Sequence, residues 1–377
     1  MSTFTSPLLQ TLAQVNDEDD AAISVYLDLD PSVTPTRADM ASRVRSAVDR
    51  LETASDRRSG EAKRTFEDGV DRVHRFLGEQ DLRGGAEVHG AALFALGCEV
   101  FEALPLWRSA GDAVTAGRRF ALRRLAVEDA RTSQVLLVIA GRELGRVVLL
   151  RDGHLIELVD ADQEIENRHH QGGWAASKLQ RYTDRQAELH LAAVVEIAER
   201  THARLGQPPI VLAGTAENSA VMRGRLGQEA SAAVIGELPN MRDFDEASVL
   251  RELTAIAERH DGERERAMLE RHAEQLGRGE LAEGLDAALI AISESRVQTL
   301  LLAPGPGPEV CACPQCGRLS DRVQVCPLDG SFIVVEPMGL ELAVAEAISR
   351  GADVWQLSDA NRDALAASAG VGVITRY

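Results

Sequence analysis

Four of the five cysteines of this chain are crowded between Cys311 and Cys326, and their spacing is that of a metal site. Cys313-Pro-Gln-Cys316-Gly317 is the Cys-x-x-Cys-Gly frame of a zinc knuckle, which supplies two thiolates from one tight turn. Cys326-Pro-Leu-Asp329-Gly330 repeats the frame with an aspartate in the second ligand position. Zinc takes four ligands in a tetrahedron, so Cys313, Cys316 and Cys326 are three expected ligands, and either Asp329 or Cys311 completes the set. The expected role of the Zn2+ is structural, because no poised base or substrate cleft is legible around it. Cysteines gathered in this way speak for metal in a reducing compartment and against disulfides. Cys98 stands alone in an apolar run and is expected to be a small buried side chain.

A second stretch with chemical potential is Asn167-Arg168-His169-His170-Gln171-Gly172-Gly173-Trp174, followed by a helical pattern. Adjacent glycines let backbone approach a partner closely, because no Cβ stands in the way. Arg168, His169, His170, Lys178, Arg181 and Arg185 make this stretch basic within an acidic chain, which suits contact with a crowded phosphate backbone. Trp174 offers a flat face that can stack on an exposed base. Asp152, Asp160, Asp162 and Glu164 lie nearby, but they fall at turns and loop edges. Two-metal nuclease chemistry needs clustered carboxylates, so these four read as a solvated acidic edge.

These groups need a scaffold, and composition bounds it. A chain of 377 residues with 45% apolar and 27% charged residues is globular and long enough for two or three domains. The net charge of −18 excludes a protein that coats nucleic acid with its whole surface, and 4% aromatics supply no stacking platform for single strands. RNA binding is therefore confined to patches. Neither a signal-peptide pattern nor a membrane-spanning apolar run is present, so the expected location is cytoplasmic, with no membrane or DNA partner.

Ile23 to Asp30 alternates as a half-buried strand. A helical pattern runs from Arg37 to Leu77 as two helices, and Val88–Leu96 and Glu99–Leu104 read as strands, giving an α/β domain over residues 1–130. Gln134–Ala140, Gly145–His154 and Leu155–Val159 read as three antiparallel strands, with Asp152-Gly153 a hairpin turn signal. A long helix from about Ala175 to Leu205 and a buried strand at Pro209–Gly214 follow. Met241 to about Ala282 reads as a charged helix pair. A helix and strand over 283–302, a helix at Leu340–Arg350, a strand at Asp353–Leu357 and the segment Gly370–Tyr377 complete the chain.

Gly172-Gly173-Trp174-Ala175-Ala176-Ser177-Lys178-Leu179-Gln180-Arg181 resembles the Gly-Gly-Gln loop and following helix of archaeal and eukaryotic class-1 release factors. Ile210-Val-Leu-Ala-Gly-Thr-Ala-Glu-Asn resembles the Leu-Ala-Gly-Ser-Ala segment of the same middle domain. The three pieces after Glu283 resemble the C-terminal domain shared by release factors and Pelota. The resemblance covers roughly residues 130 to 377. It implies an α/β chain of three domains: a central RNase H-like domain with the Gly-Gly loop (131–240), a C-terminal release-factor/Pelota-type α/β domain (241–377) and, placed only by position, an N-terminal α/β domain (1–130). A zinc-ribbon-like insertion occupies 309–334 of the C-terminal domain.

The resemblance further implies a ribosome-binding translation factor that enters the A site and contacts rRNA near the peptidyl-transferase centre. Arg168, His169, His170, Gln171, Gly172, Gly173, Trp174, Lys178 and Arg181 would make that contact. tRNA and a translational GTPase such as elongation factor Tu are the further partners implied. No Asn-Ile-Lys-Ser element occurs in the N-terminal domain, so stop-codon decoding is not expected. The family's water-orienting glutamine is replaced by Trp174, whose indole cannot do the work of an amide. Hibernation or rescue by binding, as in Pelota-like proteins and Balon-like hibernation factors, is therefore expected ahead of peptidyl-tRNA hydrolysis. Hydrolysis would have to rely on Gln171 or Gln180.

Overall fold

The apolar segments assemble into four sheets among the residues described by the computed structural model. Those residues are 6–29, 36, 38–39, 42, 45–46, 60–79, 88–106, 111–130, 134–141, 145–151, 154–160, 176–239 and 245–376, with backbone alone for 6, 129, 159–160 and 176–187. The chain is a multi-domain α/β protein that divides into two compact units: Met1–Arg131 with Glu265–Tyr377, and Thr132–Arg264.

In the first unit, helix α1 (Ser6–Gln14) precedes β1 (Ala22–Asp28), and α2 (Glu61–Glu79) precedes β2 (Gly90–Leu96), β3 (Val100–Leu106) and β4 (Ala113–Gly117). The four strands pair antiparallel in the order β3-β2-β1-β4. Alternation along the strands gives the sheet two apolar faces. Ile23, Val25 and Leu27 pack with Leu93 under Phe66, Val70 and Val73 of α2. Tyr26, Ala92, Phe94 and Leu104 face the other way. The turn from β2 to β3 leaves Cys98 exposed. The apolar run around it is two strands and their reversal, which corrects the expectation of a buried thiol.

The C-terminal part builds a three-stranded sheet, β14-β10-β15, from β10 (Val297–Leu302), β14 (Asp353–Gln356) and β15 (Val371–Thr375). β10 pairs parallel with β14 and antiparallel with β15. Helices α8 (Leu285–Ser293) and α9 (Leu340–Ser349) cover one face. Their apolar residues merge with the second face of the N-terminal sheet, with α1, and with α3 (Arg123–Ala130), in one continuous core. Polar ties cross that core's edge. Gln14 Nε2 donates to the Ser349 carbonyl at 2.8 Å, and the half-buried Arg119 and Glu346 pair at 2.6 Å. Arg123 and Glu341 pair at 3.3 Å.

The second unit is a five-stranded sheet of order β7-β6-β5-β8-β9, formed by β5 (Gln134–Ala140), β6 (Gly145–Arg151), β7 (His154–Asp160), β8 (Ile210–Ala213) and β9 (Val234–Leu238). The first three strands are antiparallel, while β8 and β9 run parallel to β5, the arrangement expected of an RNase H-like sheet. Leu136, Val138 and Leu212 pack with Val194 and Ala198 of α4 (Ala176–Arg204) and Met222 of α5 (Ala216–Arg225) on one face. Val135, Leu137 and Val211 pack with Val249, Leu253 and Ile256 on the other. A short helix, α6 (Gln228–Ala232), leads into β9.

Val249, Leu253 and Ile256 belong to α7 (Glu246–Gly277), which is one continuous helix where a pair was expected. Asp261-Gly262 does not break it. An interior glycine costs a helix only ~1 kcal/mol, and apolar residues on either side hold it, Val249 to Ala257 before and Met268 with Leu269 after. The boundary between the two units falls within this helix.

Candidate functional site

The cysteine-rich insertion forms a small antiparallel sheet of order β12-β11-β13, from β11 (Cys311–Ala312), β12 (Leu319–Ser320) and β13 (Val334–Val335), and two knuckles with matching hydrogen bonds. In the first, the Cys313 N–H donates to the Arg318 carbonyl at 2.8 Å and the Gly317 N–H to the Cys313 carbonyl at 2.9 Å. In the second, the Cys326 N–H donates to the Ser331 carbonyl at 2.8 Å and the Gly330 N–H to the Cys326 carbonyl at 3.0 Å. Both turns close on a glycine with positive φ, 72° at Gly317 and 79° at Gly330, where a side chain would be strained.

The two turns bring Cys313, Cys316, Cys326 and Asp329 together, with ligand atoms all within 4.8 Å of one another. Cys313 Sγ lies 3.2 Å from Asp329 Oδ2, and Cys316 Sγ lies 3.5 Å from Cys326 Sγ. Asp329 thus occupies the second ligand position of the second knuckle. Cys311 shares a buried cluster with Cys313, Cys326 and Ile333, but it is outside the converging group. Of the two ways to complete the set that the spacing left open, the geometry selects Asp329.

The electrostatics suit a cation. Burial pushes the Cys316 thiol up to about 12, and Asp329, Cys313 and Cys326 add to the rise. Burial also acts upward on Cys313, but hydrogen bonds from the Cys316 and Gln315 N–H groups and the contact with the Ser331 hydroxyl outweigh it and leave that thiol below its ordinary value. The Asp329 carboxyl is held well below the usual carboxylate range, first by the Ser331 hydroxyl and then by the Ser331 N–H at 2.9 Å. Three sulfurs and one carboxylate at these separations can hold a tetrahedral divalent ion, which would draw the protons off the remaining thiols. Ser331 was not singled out from the sequence, although it follows the second knuckle glycine directly. Its hydroxyl bridges the Asp329 carboxylate and Cys313 Sγ, lying 3.0 Å from the sulfur, and so orients two ligands. Cys316 is exposed and lines a polar cavity of about 280 Å3 with Asn16, Glu18, Arg118 and Glu346, which opens the site to small solutes.

The other candidate residues belong to the second unit. The chain leaves edge strand β7 at Asp160 and enters α4 at Ala176. Arg168, His169, His170, Gln171, Gly172, Gly173 and Trp174 lie outside the described residues. So do Asp152, Asp162 and Glu164. Lys178, Gln180 and Arg181 fall on the first turns of α4, where the backbone alone is described.

One buried carboxylate escaped the sequence reading. Glu265, 4% exposed, accepts from Trp355 Nε1 (3.2 Å), the Ser358 N–H (2.8 Å), the Ser358 hydroxyl (2.7 Å) and Asn361 Nδ2 (2.5 Å). Burial pushes its carboxyl up, but these donors outweigh that and leave it below the ordinary value. Its partners are far away in sequence, so no local pattern announced the network, and its role is to anchor α7.

Residues 121–258 match the family described as bacterial archaeo-eukaryotic release factor family 10. No curated protein matches the chain. Among solved structures it is similar to the archaeal translation termination factor aRF1, at 15% identity over 100% of this chain and 99% of that one, with a TM-score of 0.27. Dom34 of S. cerevisiae, a translation termination-like factor, matches at 12% identity over 74% of each chain, with a TM-score of 0.42. Archaeoglobus fulgidus Pelota matches at 11% identity over 100% of this chain and 94% of that one, with a TM-score of 0.32. The family-matched segment takes in all five strands of the central sheet and the stretch that carries Gly172 and Gly173.

Proposed function

We propose that this protein is a ribosome-binding translation factor that enters the A site and directs the Gly172-Gly173 loop toward the peptidyl-transferase centre, in hibernation or rescue and without decoding a stop codon. The observation that carries the reading is the release-factor family match over residues 121–258, which contains the RNase H-like sheet and the whole segment between β7 and α4. The segment runs from the end of edge strand β7 to the start of α4, whose later turns, through Val194 and Ala198, pack on the sheet. Arg168, His169, His170, Lys178 and Arg181 gather phosphate-directed charge within an otherwise acidic chain. Trp174 takes the position of the water-orienting glutamine and offers a stacking face, which favours binding over hydrolysis. The C-terminal half is the part that would engage a translational GTPase such as elongation factor Tu, and tRNA is a further partner. Zn2+ at Cys313, Cys316, Cys326 and Asp329 would be structural and hold the insertion in shape.

Co-sedimentation with purified 70S ribosomes tests this reading. The intact protein should pellet with the particles at low salt, and Gly172→Val or Arg168→Ala should weaken binding by about tenfold, the loss of one good contact. Absence from both ribosome and subunit fractions refutes the proposal. Cleavage of peptidyl-tRNA in stalled complexes, abolished by Gln171→Ala or Gln180→Ala, would replace it with the hydrolase reading.

A further inference from the structure

The second knuckle sits on a two-stranded ribbon. Val325 bridges Phe332 in antiparallel register, the Ile333 N–H donates to the Gln324 carbonyl at 2.8 Å, and the Cys326 N–H donates to the Ser331 carbonyl at 2.8 Å. Side chains alternate across such a ribbon. Cys326 and Ile333 point inward and are buried with Cys311 and Cys313. Val323, Val325, Phe332 and Val334 are therefore left on the opposite face, exposed by 58, 55, 67 and 48%. Leu328, in the second knuckle itself, is 68% exposed. A ribbon covered on one side normally carries polar residues on the other. Nothing in this fold requires four large apolar side chains in water, and contiguous exposed apolar residues mark interaction sites.

The charges around the patch narrow the occupant. Glu309 and Asp321 belong to the insertion and are exposed, and half-buried Glu336 lies just beyond it. Its two arginines are committed: Arg318 to Glu294 at 3.8 Å, and Arg322 to Asp321 at 3.5 Å and Asp286 at 3.8 Å. From Glu309 to Glu336 there is no lysine. A phosphate backbone would meet acids with no free cation to receive it. A second copy would bring the same acids and a net charge of −18 against the first. An apolar centre with an acidic rim is complementary to a protein surface that has an apolar patch and a basic rim.

We propose that the outer face of this ribbon, centred on Val325 and Phe332, docks a basic protein surface of the ribosome. The proposal rests on the ribosome-binding reading and adds a second, protein-directed contact to the RNA-directed loop. The test places a photoreactive benzophenone amino acid at position 332 of the full chain and irradiates it with purified 70S ribosomes. In parallel, the Val325→Ser/Phe332→Ser double variant is sedimented with the same particles. The expected result is a covalent adduct that resists ribonuclease and yields to protease, containing a ribosomal protein. The double variant should bind at least tenfold more weakly, with unchanged metal content and thermal midpoint. An adduct with rRNA, an adduct with a second copy of the chain, or no adduct in a pelleting protein overturns the proposal and leaves ribosome binding intact. Failure of the wild-type chain to pellet removes both. If the double variant misfolds, the adduct decides alone.

Discussion

Replacing Asp329 with alanine should strip the insertion of most of its affinity for metal, whereas replacing Cys311 with serine should not. The ligand atoms are already close to a coordination sphere. A tetrahedral ion with sulfur ligands at ~2.3 Å spaces them ~3.8 Å apart, and the pairs here stand at 3.2 Å (Cys313–Asp329) and 3.5 Å (Cys316–Cys326). Structural zinc contributes roughly 10–16 kcal/mol in all, about 3 kcal/mol per ligand if shared evenly, so loss of one ligand weakens binding by ~10²–10³-fold, less what a replacing water recovers. Asp329→Cys should hold the ion at least as tightly as the native carboxylate, because the second knuckle then matches the first. Competition against a chromophoric chelator measures this, and exposed Cys316 with its adjoining polar cavity gives the chelator access. Retention of tight binding by Asp329→Ala together with metal release from Cys311→Ser would refute the assignment of the fourth ligand.

Glu265→Ala should destabilise the first unit by ~2–4 kcal/mol, because it leaves the buried Trp355 Nε1 and the Ser358 N–H without their acceptor. Thermal unfolding should show this, and Glu265→Gln should recover only part. The same carboxyl predicts an acid limit. Its pKa is lowered in the folded protein, so its contribution is complete above the unfolded value of ~4.3 and is lost as pH falls through the folded value. The Glu265→Ala variant should lose less stability than wild type over that acid range. Gly214→Ala should destabilise the central sheet by ~1–3 kcal/mol, since its Cβ would lie 2.7 Å from the Ala140 carbonyl oxygen, a backbone atom of the adjacent strand. Urea unfolding should report the loss as a lower midpoint.

Legibility followed the range of the interactions involved. β5, β6 and β8 were plain because continuous apolar runs bounded by turn residues have few other uses. β9 was missed, as Val234-Ile-Gly-Glu-Leu is short, is interrupted by Gly236, and acquires its strand character from pairing with β8. The repeated Cys-x-x-(Cys or Asp)-Gly frame carried the metal ligands, since a knuckle is a local turn. It did not choose between Asp329 and Cys311, because that choice depends on how the second turn is pinned by Ser331. The single helix α7 was read as a pair, whereas packing at both ends keeps it continuous through Asp261-Gly262. Glu265 and its donors span almost a hundred residues, beyond any pattern a window could detect.

The shared core of the first unit also has a consequence for how the protein is made. α1 and the N-terminal sheet emerge first from synthesis, yet the helices that cover their second face, α8 and α9, come from the last hundred residues, as in the Gln14–Ser349 bond. The segment 132–264 closes its own cores in the interval, so an independently folding body is completed while the earlier strands wait with an unsheltered greasy side. A nascent chain halted before α9 would carry that open face into the cell, which makes the opening hundred residues the stretch most in need of a chaperone.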